Sequence, residues 1–146
     1  MAAWRMSRSF LGTPPSVTEA RRFVTTFLAG WPLVDTAELI VSELATNAIR
    51  HSATKRFGGR FHVEIQAERH RVWLGVTDEG GPDAPAMHTP GGEEEGGRGL
   101  LLVATLADSY GVRGDEYGRT VWATLLVPVA GAASAPFRPG AGESRG

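Results

Sequence analysis

Three short stretches hold the residues whose types and spacing suit chemistry. The first reads Glu43-Leu44-Ala45-Thr46-Asn47-Ala48-Ile49-Arg50-His51. Wound as a helix at about 100° per residue, Glu43, Asn47, Arg50 and His51 fall in one strip roughly 100° wide. Ile40, Leu44 and Ala48 border that strip, so its polar groups stand where a helix meets a cleft. An Asn amide oxygen is a neutral hard ligand suited to Mg2+, which takes its remaining ligands from waters and substrate phosphates. Glu43, one turn earlier, is placed to orient or deprotonate a nucleophile attacking the same phosphate. Arg50 would neutralise phosphate charge. Taken alone, the stretch fits a solvated helix face equally well.

The second stretch is Val76-Thr77-Asp78-Glu79-Gly80-Gly81. Strand alternation puts Asp78 on the face of Val72, Leu74 and Val76, which packs under helices. A carboxylate there needs a donor. An adenine amino group fits, and Gly80 lets a base lie close to the backbone. An ordinary strand ending in a turn reads the same way. The third stretch is Gly91-Gly92-Glu93-Glu94-Glu95-Gly96-Gly97-Arg98-Gly99-Leu100. Glycines running into a helix leave backbone N–H groups free to cradle phosphate at the positive end of the helix dipole, and Arg98 adds charge. It is neither a Walker A loop nor a dinucleotide fingerprint. The three glutamates favour a plain surface loop, and in the phosphate-binding reading they point into solvent at the middle of the loop.

The elements that must position these residues follow from periodicity. Ser16 with Glu19 forms a capping box, and Val17, Ala20, Val24, Phe27 and Leu28 repeat at helical spacing up to Pro32. Asp35 with Glu38 forms a second capping box for a helix ending near His51. Residues 61–67 alternate as a half-buried strand, and 72–76 form the next, joined through a short link at 68–70 as a hairpin. Residues 7–11 can add an edge strand. A long loop covers 79–97, and loops of that length in compact domains are usually functional. A helix is expected over 99–109 with Gly111 near its end, then a turn at 115–118 and a last strand over 119–127. This order predicts an α/β, or α+β, two-layer sandwich with helices on one face of a mixed, mostly antiparallel sheet.

The chain has 146 residues, no cysteine and a net charge of −1. One domain is expected, over 1–128, and an Ala/Gly/Pro-rich disordered tail over 129–146. The absence of cysteine excludes disulfides, zinc ribbons and thiol nucleophiles. A near-neutral balance gives no general pull toward nucleic acid or anionic membrane. No apolar run has signal-peptide or membrane-spanning length, so a cytoplasmic protein is expected. His51, His62, His70 and His88 are too scattered for a metal site. Trp73 and Trp122 share strand faces with polar residues and are read as covering the outer sheet surface, a homodimer contact being the second option.

Together, Glu-x-x-x-Asn on a helix, Asp-x-Gly after a hairpin strand and Gly-Arg-Gly-Leu opening a helix resemble the N box and the two G boxes of GHKL (Bergerat-fold) ATPases. The strings at 42–52 and 97–103 resemble more closely the anti-sigma-factor serine/threonine kinase branch and its actinobacterial small ATP-binding relatives. The resemblance spans about 10–127. It implies ATP and Mg2+ as cofactors, Glu43 as catalytic base and Asn47 as metal ligand. It further implies adenine held at Asp78 with Gly80 beside it, and phosphates covered by Gly97, Arg98, Gly99 and Leu100. Partners would be a sigma factor and a STAS-type anti-anti-sigma protein phosphorylated on serine or threonine, with Arg21 gripping the partner. Where many members read Gly-Thr-Thr in the last strand, this chain reads Gly118-Arg119-Thr120, so no threonine contact near the adenine is assigned. The alternative is a non-catalytic module that holds ATP as a switch and sequesters its partner. The ATPase part of a two-component sensor is disfavoured, because no phosphoacceptor histidine helix precedes the domain.

Overall fold

The computed structural model describes residues 3–51, 58–81 and 95–128, with the backbone alone at 51 and 95–99. Eight elements follow in order: β1 (Trp4–Leu11), α1 (Pro15–Phe27), α2 (Val34–His51), β2 (Arg60–Ala67), β3 (Arg71–Asp78), α3 (Glu95–Leu106), β4 (Ser109–Asp115) and β5 (Gly118–Leu126). The strands make one sheet in the order β1-β2-β3-β5-β4. Every pairing among the described residues is antiparallel. The expected sandwich is therefore observed, with the sheet antiparallel throughout these pairings.

Alternation in β2 and β3 is what builds the core. Phe61, Val63, Ile65 and Ala67 from β2 and Val72, Leu74 and Val76 from β3 are buried. The β2–β3 hairpin closes through residues 68–70 as the sequence indicates, with Glu68 N–H donating to the Arg71 carbonyl at 2.8 Å. Helix α2 crosses the inner face of the sheet and packs on both α1 and α3. Its Ala37, Ile40, Val41, Leu44, Ala45 and Ala48 are almost fully buried. Burying side chains the size of Ile40, Val41 and Leu44 stabilises the fold by about 1.5–3 kcal/mol each before entropy is counted. The edge strand β1 is longer than residues 7–11 and pairs with β2 along its whole length.

The helix starts differ from the capping-box expectation. Helix α1 begins at Pro15, and Pro14 at its N-cap makes no side-chain cap. Two prolines fix φ near −65° and lack the N–H that a first turn leaves unpaired, so they start the helix ahead of Ser16. Ser16 is instead buried in the helix, 3.4 Å from the Thr13 hydroxyl. Helix α1 also ends at Phe27, before Pro32, and Gly30 at φ 86° turns the chain away. Helix α2 starts at Val34, which places Asp35 inside the first turn, where its charge favours the helix dipole.

The larger correction lies after α3. The helix ends at Leu106, not Ser109, and the residues around Gly111 form β4, hydrogen-bonded to β5. β4 is an edge strand with no regular alternation of burial. Its place rests on backbone pairing, which starts with Asp108 N–H donating to the Thr124 carbonyl at 2.8 Å. Gly111 also leaves room for its neighbour, since a Cβ there would stand 2.7 Å from the Trp122 ring. On the same outer face the Arg113 guanidinium lies 5.3 Å from the Trp73 ring. No helix of the described residues is long and apolar enough to cross a membrane.

Candidate functional site

On α2 the core stripe and the polar strip meet at Asn47. Ile40, Leu44 and Ala48 are 1%, 1% and 2% exposed, and Asn47 itself is 4% exposed. Glu43, one turn earlier, is half-buried, and Arg50 is exposed. The Asn47 Oδ1 atom is buried and accepts no hydrogen bond from the described residues. Leaving such an acceptor unmet costs about 1–3 kcal/mol, so native structures rarely tolerate one without a reason. A hard cation is a suitable partner for a neutral amide oxygen. The donor present therefore fits Mg2+. Among the described residues no cluster of three or more His, Cys, Asp or Glu side chains could hold a metal ion.

Asp78 closes β3 on the inner face, as alternation indicates, and is 7% exposed. Its Oδ1 accepts the Gly80 N–H at 2.7 Å. Burial pushes the carboxyl above its ordinary value. The Gly80 N–H, the Arg119 guanidinium and the Arg119 backbone oppose that shift, while the Glu79 charge adds to it. Gly80 has φ 76°, and a Cβ there would collide with the Glu116 carbonyl. The β4–β5 turn thus requires a glycine at this position whatever lies beside it. Glu79 braces the other side, its Oε2 accepting the Arg60 N–H at 2.9 Å.

Helix α3 opens at Glu95, four residues before the expected start at Gly99. Gly97, Arg98 and Gly99 are thus helical residues of its first turns rather than loop. The unpaired N–H groups of a helix belong to its first turn, so they fall nearer Gly96 and Gly97 than Leu100. Leu100 is fully buried and holds α3 to the core. Residues 82–94 of the expected 79–97 loop lie outside the described residues, as do Ser52 and the 129–146 tail. Arg21 is exposed on α1 beside fully buried Ala20 and Val24. It pairs with Glu38 of α2 at 3.3 Å.

Sequence reasoning passed over Arg119. It is 7% exposed and faces inward from β5 with Val121, Ala123 and Leu125, directly opposite Asp78 in the register. Thr120 faces outward and bonds the Thr77 hydroxyl at 2.6 Å. The signal was available in the departure at 118–120, where an arginine takes an inward strand position. The structure therefore brings Asp78, Gly80 and Arg119 together at one end, and sets Glu43 and Asn47 on one helix that packs on β3 and α3.

Comparison with known proteins bears on the family and the fold. The family model described as histidine kinase-like ATPase domain matches residues 10–125. No curated protein matches the chain. Among solved structures, the RsbU and RsbW domains of Rv1364c from Mycobacterium tuberculosis have a similar fold, with a TM-score of 0.58 at 16% identity. That match covers 84% of this chain and 32% of the other, so the chain spans about a third of that protein.

Proposed function

The chain belongs to the histidine kinase-like ATPase domain family, and we propose that it binds Mg-ATP and phosphorylates a serine or threonine of a regulatory partner, as an anti-sigma-factor kinase does. The observation that carries this reading is the buried Oδ1 of Asn47, which meets no donor among the described residues and lies one helical turn after Glu43. A purely structural helix gains nothing from an unmet acceptor. A helix that completes a metal–phosphate site on ligand binding does.

Each residue has a role in that reading. The Asp78 carboxylate accepts the adenine amino group, with Gly80 beside the base. Asn47 holds Mg2+, which when bound neutralises charge on the phosphates. The N-terminal turn of α3, with Gly97, Arg98 and Gly99, faces the phosphates; Leu100 anchors that turn, and Arg50 adds positive charge. Glu43 takes the proton from the partner's hydroxyl as its oxygen bonds the γ-phosphorus and the bond to the β-phosphate oxygen breaks. ADP leaves and the proton rests on Glu43 until solvent removes it. Arg21, held by Glu38, grips the partner, which is a STAS-type anti-anti-sigma protein, a sigma factor, or both.

The test is transfer of labelled phosphate from ATP to STAS proteins encoded in the same genome, with calorimetry of ATP binding in parallel. Transfer that requires Mg2+ and Glu43 supports the kinase reading. Tight ATP and sigma-factor binding with no transfer to any candidate replaces it with the non-catalytic clamp. Absence of ATP binding overturns both.

A further inference from the structure

Arg119 stands where a strand of this sheet otherwise carries Val121, Ala123 and Leu125. A guanidinium in such a place is costly unless its donors are met and its charge is balanced. Here two of its nitrogens have acceptors, and a carboxyl-bearing residue stands opposite it. Nε donates to the Asp115 carbonyl at 3.3 Å, and Nη2 donates to the Gly81 carbonyl. The residue directly across the ladder is Asp78. Gly81 is tied from both sides of its backbone, because its N–H donates to the Glu116 carbonyl at 2.8 Å. The segment that leaves β3 is thus pinned to the β4–β5 turn by one side chain and one backbone bond. Arginine suits this task because its planar fork spans two carbonyls at fixed spacing, which a lysine cannot do.

We propose that Arg119 is a positioning residue for the base-binding end of the site, setting the adenine-over-hypoxanthine preference through Gly81 and Asp78. The proposal rests on the ATP-binding reading above and deepens it. Adenine presents an amino group where hypoxanthine presents a carbonyl. An ionised Asp78 only accepts hydrogen bonds, so it favours the first and repels the second. Burial, with the Glu79 charge, pushes Asp78 toward its protonated form, which would donate to the carbonyl and erase the distinction. Arg119 from β5 and the Gly80 N–H oppose that change. The same guanidinium keeps the Gly80–Gly81 backbone in the position from which Asp78 is held.

The test compares the full-length wild type with Arg119→Gln, which keeps a donor and drops the charge, and Arg119→Lys, which keeps the charge and drops the fork. Affinities for ATP and ITP are measured by calorimetry, and exchange of the Gly81 amide is measured by NMR without nucleotide. The wild type is expected to prefer ATP by at least about 10-fold, the lower end of what a charge-assisted hydrogen bond supplies. Arg119→Gln should bring that preference to within about 3-fold, and Arg119→Lys, which keeps the charge but not the bridge to Gly81, should restore only part of it. Gly81 exchange should rise in both variants, since neither bridges the two carbonyls. Equal weakening of ATP and ITP with an unmoved ratio overturns the proposal and leaves Arg119 a structural residue. Unchanged Gly81 exchange in Arg119→Gln overturns it as well. Should the wild type bind neither nucleotide, the ATP reading itself fails and takes this inference with it; binding with an unmoved ratio defeats the inference alone.

Discussion

Asn47 and Asp78 are both buried polar side chains beside the same core, yet their surroundings are opposite. Asp78 is met by the Gly80 N–H and faces Arg119 across the ladder. Asn47 has an oxygen that nothing among the described residues meets. A polar group satisfied within the protein holds its geometry before a ligand arrives. One left unmet calls for a further partner, because its desolvation is otherwise uncompensated. In the proposed ATP site, the base end at Asp78 is thus preorganised, and the phosphate end at Asn47 is completed by what binds there.

The most severe way to probe the phosphate end is through catalysis. Glu43→Gln should lower phosphotransfer to a cognate STAS serine by about 10²- to 10⁴-fold, the range general-base assistance supplies. ATP affinity should stay within a few-fold of wild type, as read by calorimetry. If both fall together, Glu43 belongs to ligand binding and the two ends are not separable in this way.

The base end should answer in binding instead. Asp78→Asn removes a charge-assisted bond, so ATP affinity should fall by roughly 10- to 150-fold. The same change should raise the stability of the free protein at neutral pH. The Asp78 carboxyl is shifted up on folding, mainly by burial. The folded state therefore holds that proton more tightly, and stability falls as pH rises from the ordinary carboxylate value through the folded-state value. The stabilising effect of Asp78→Asn should accordingly be present above both values and vanish below the ordinary one. Urea melts at pH 7 and near pH 3 check this sign.

At Asn47 the two ends part most clearly. Asn47→Leu removes an acceptor that no described residue meets, so the free protein should be as stable as wild type or more so, by up to about 1 kcal/mol. Enhancement of ATP binding by Mg2+, on the order of 10-fold, should disappear. A large loss of stability would show that Asn47 is satisfied within the fold, and the contrast with Asp78 would collapse.

Arg21 should give the smallest effect on the domain itself. Its pair with Glu38 is exposed, and exposed pairs contribute about 0–1 kcal/mol. Arg21→Ala should therefore leave the melting temperature and ATP affinity nearly unchanged while weakening the complex with the partner. Unaltered partner affinity in a pull-down with purified proteins would remove Arg21 from the interface.

By itself the sequence determined whatever depends on local period. The apolar stripe of α2 and the alternation of β2 and β3 are one-dimensional patterns, so the core and the inward face of Asp78 were legible. The order of the three motifs made the family legible as well. Tertiary structure decided everything that depends on a neighbour far along the chain. β4 reads like the tail of a helix because its residues are mostly exposed and carry two glycines, Gly111 and Gly114; only the backbone of β5 makes it a strand. Ser16 is different, because the prolines that start the helix earlier stand directly before it, and that local signal was legible in the sequence. Arg119 is one charged residue in a row of strand residues until the fold sets the Asp115 and Gly81 carbonyls around it. The unmet oxygen of Asn47 is of the same kind, since whether a buried acceptor has a donor depends on every element packed around it and on no spacing in the sequence.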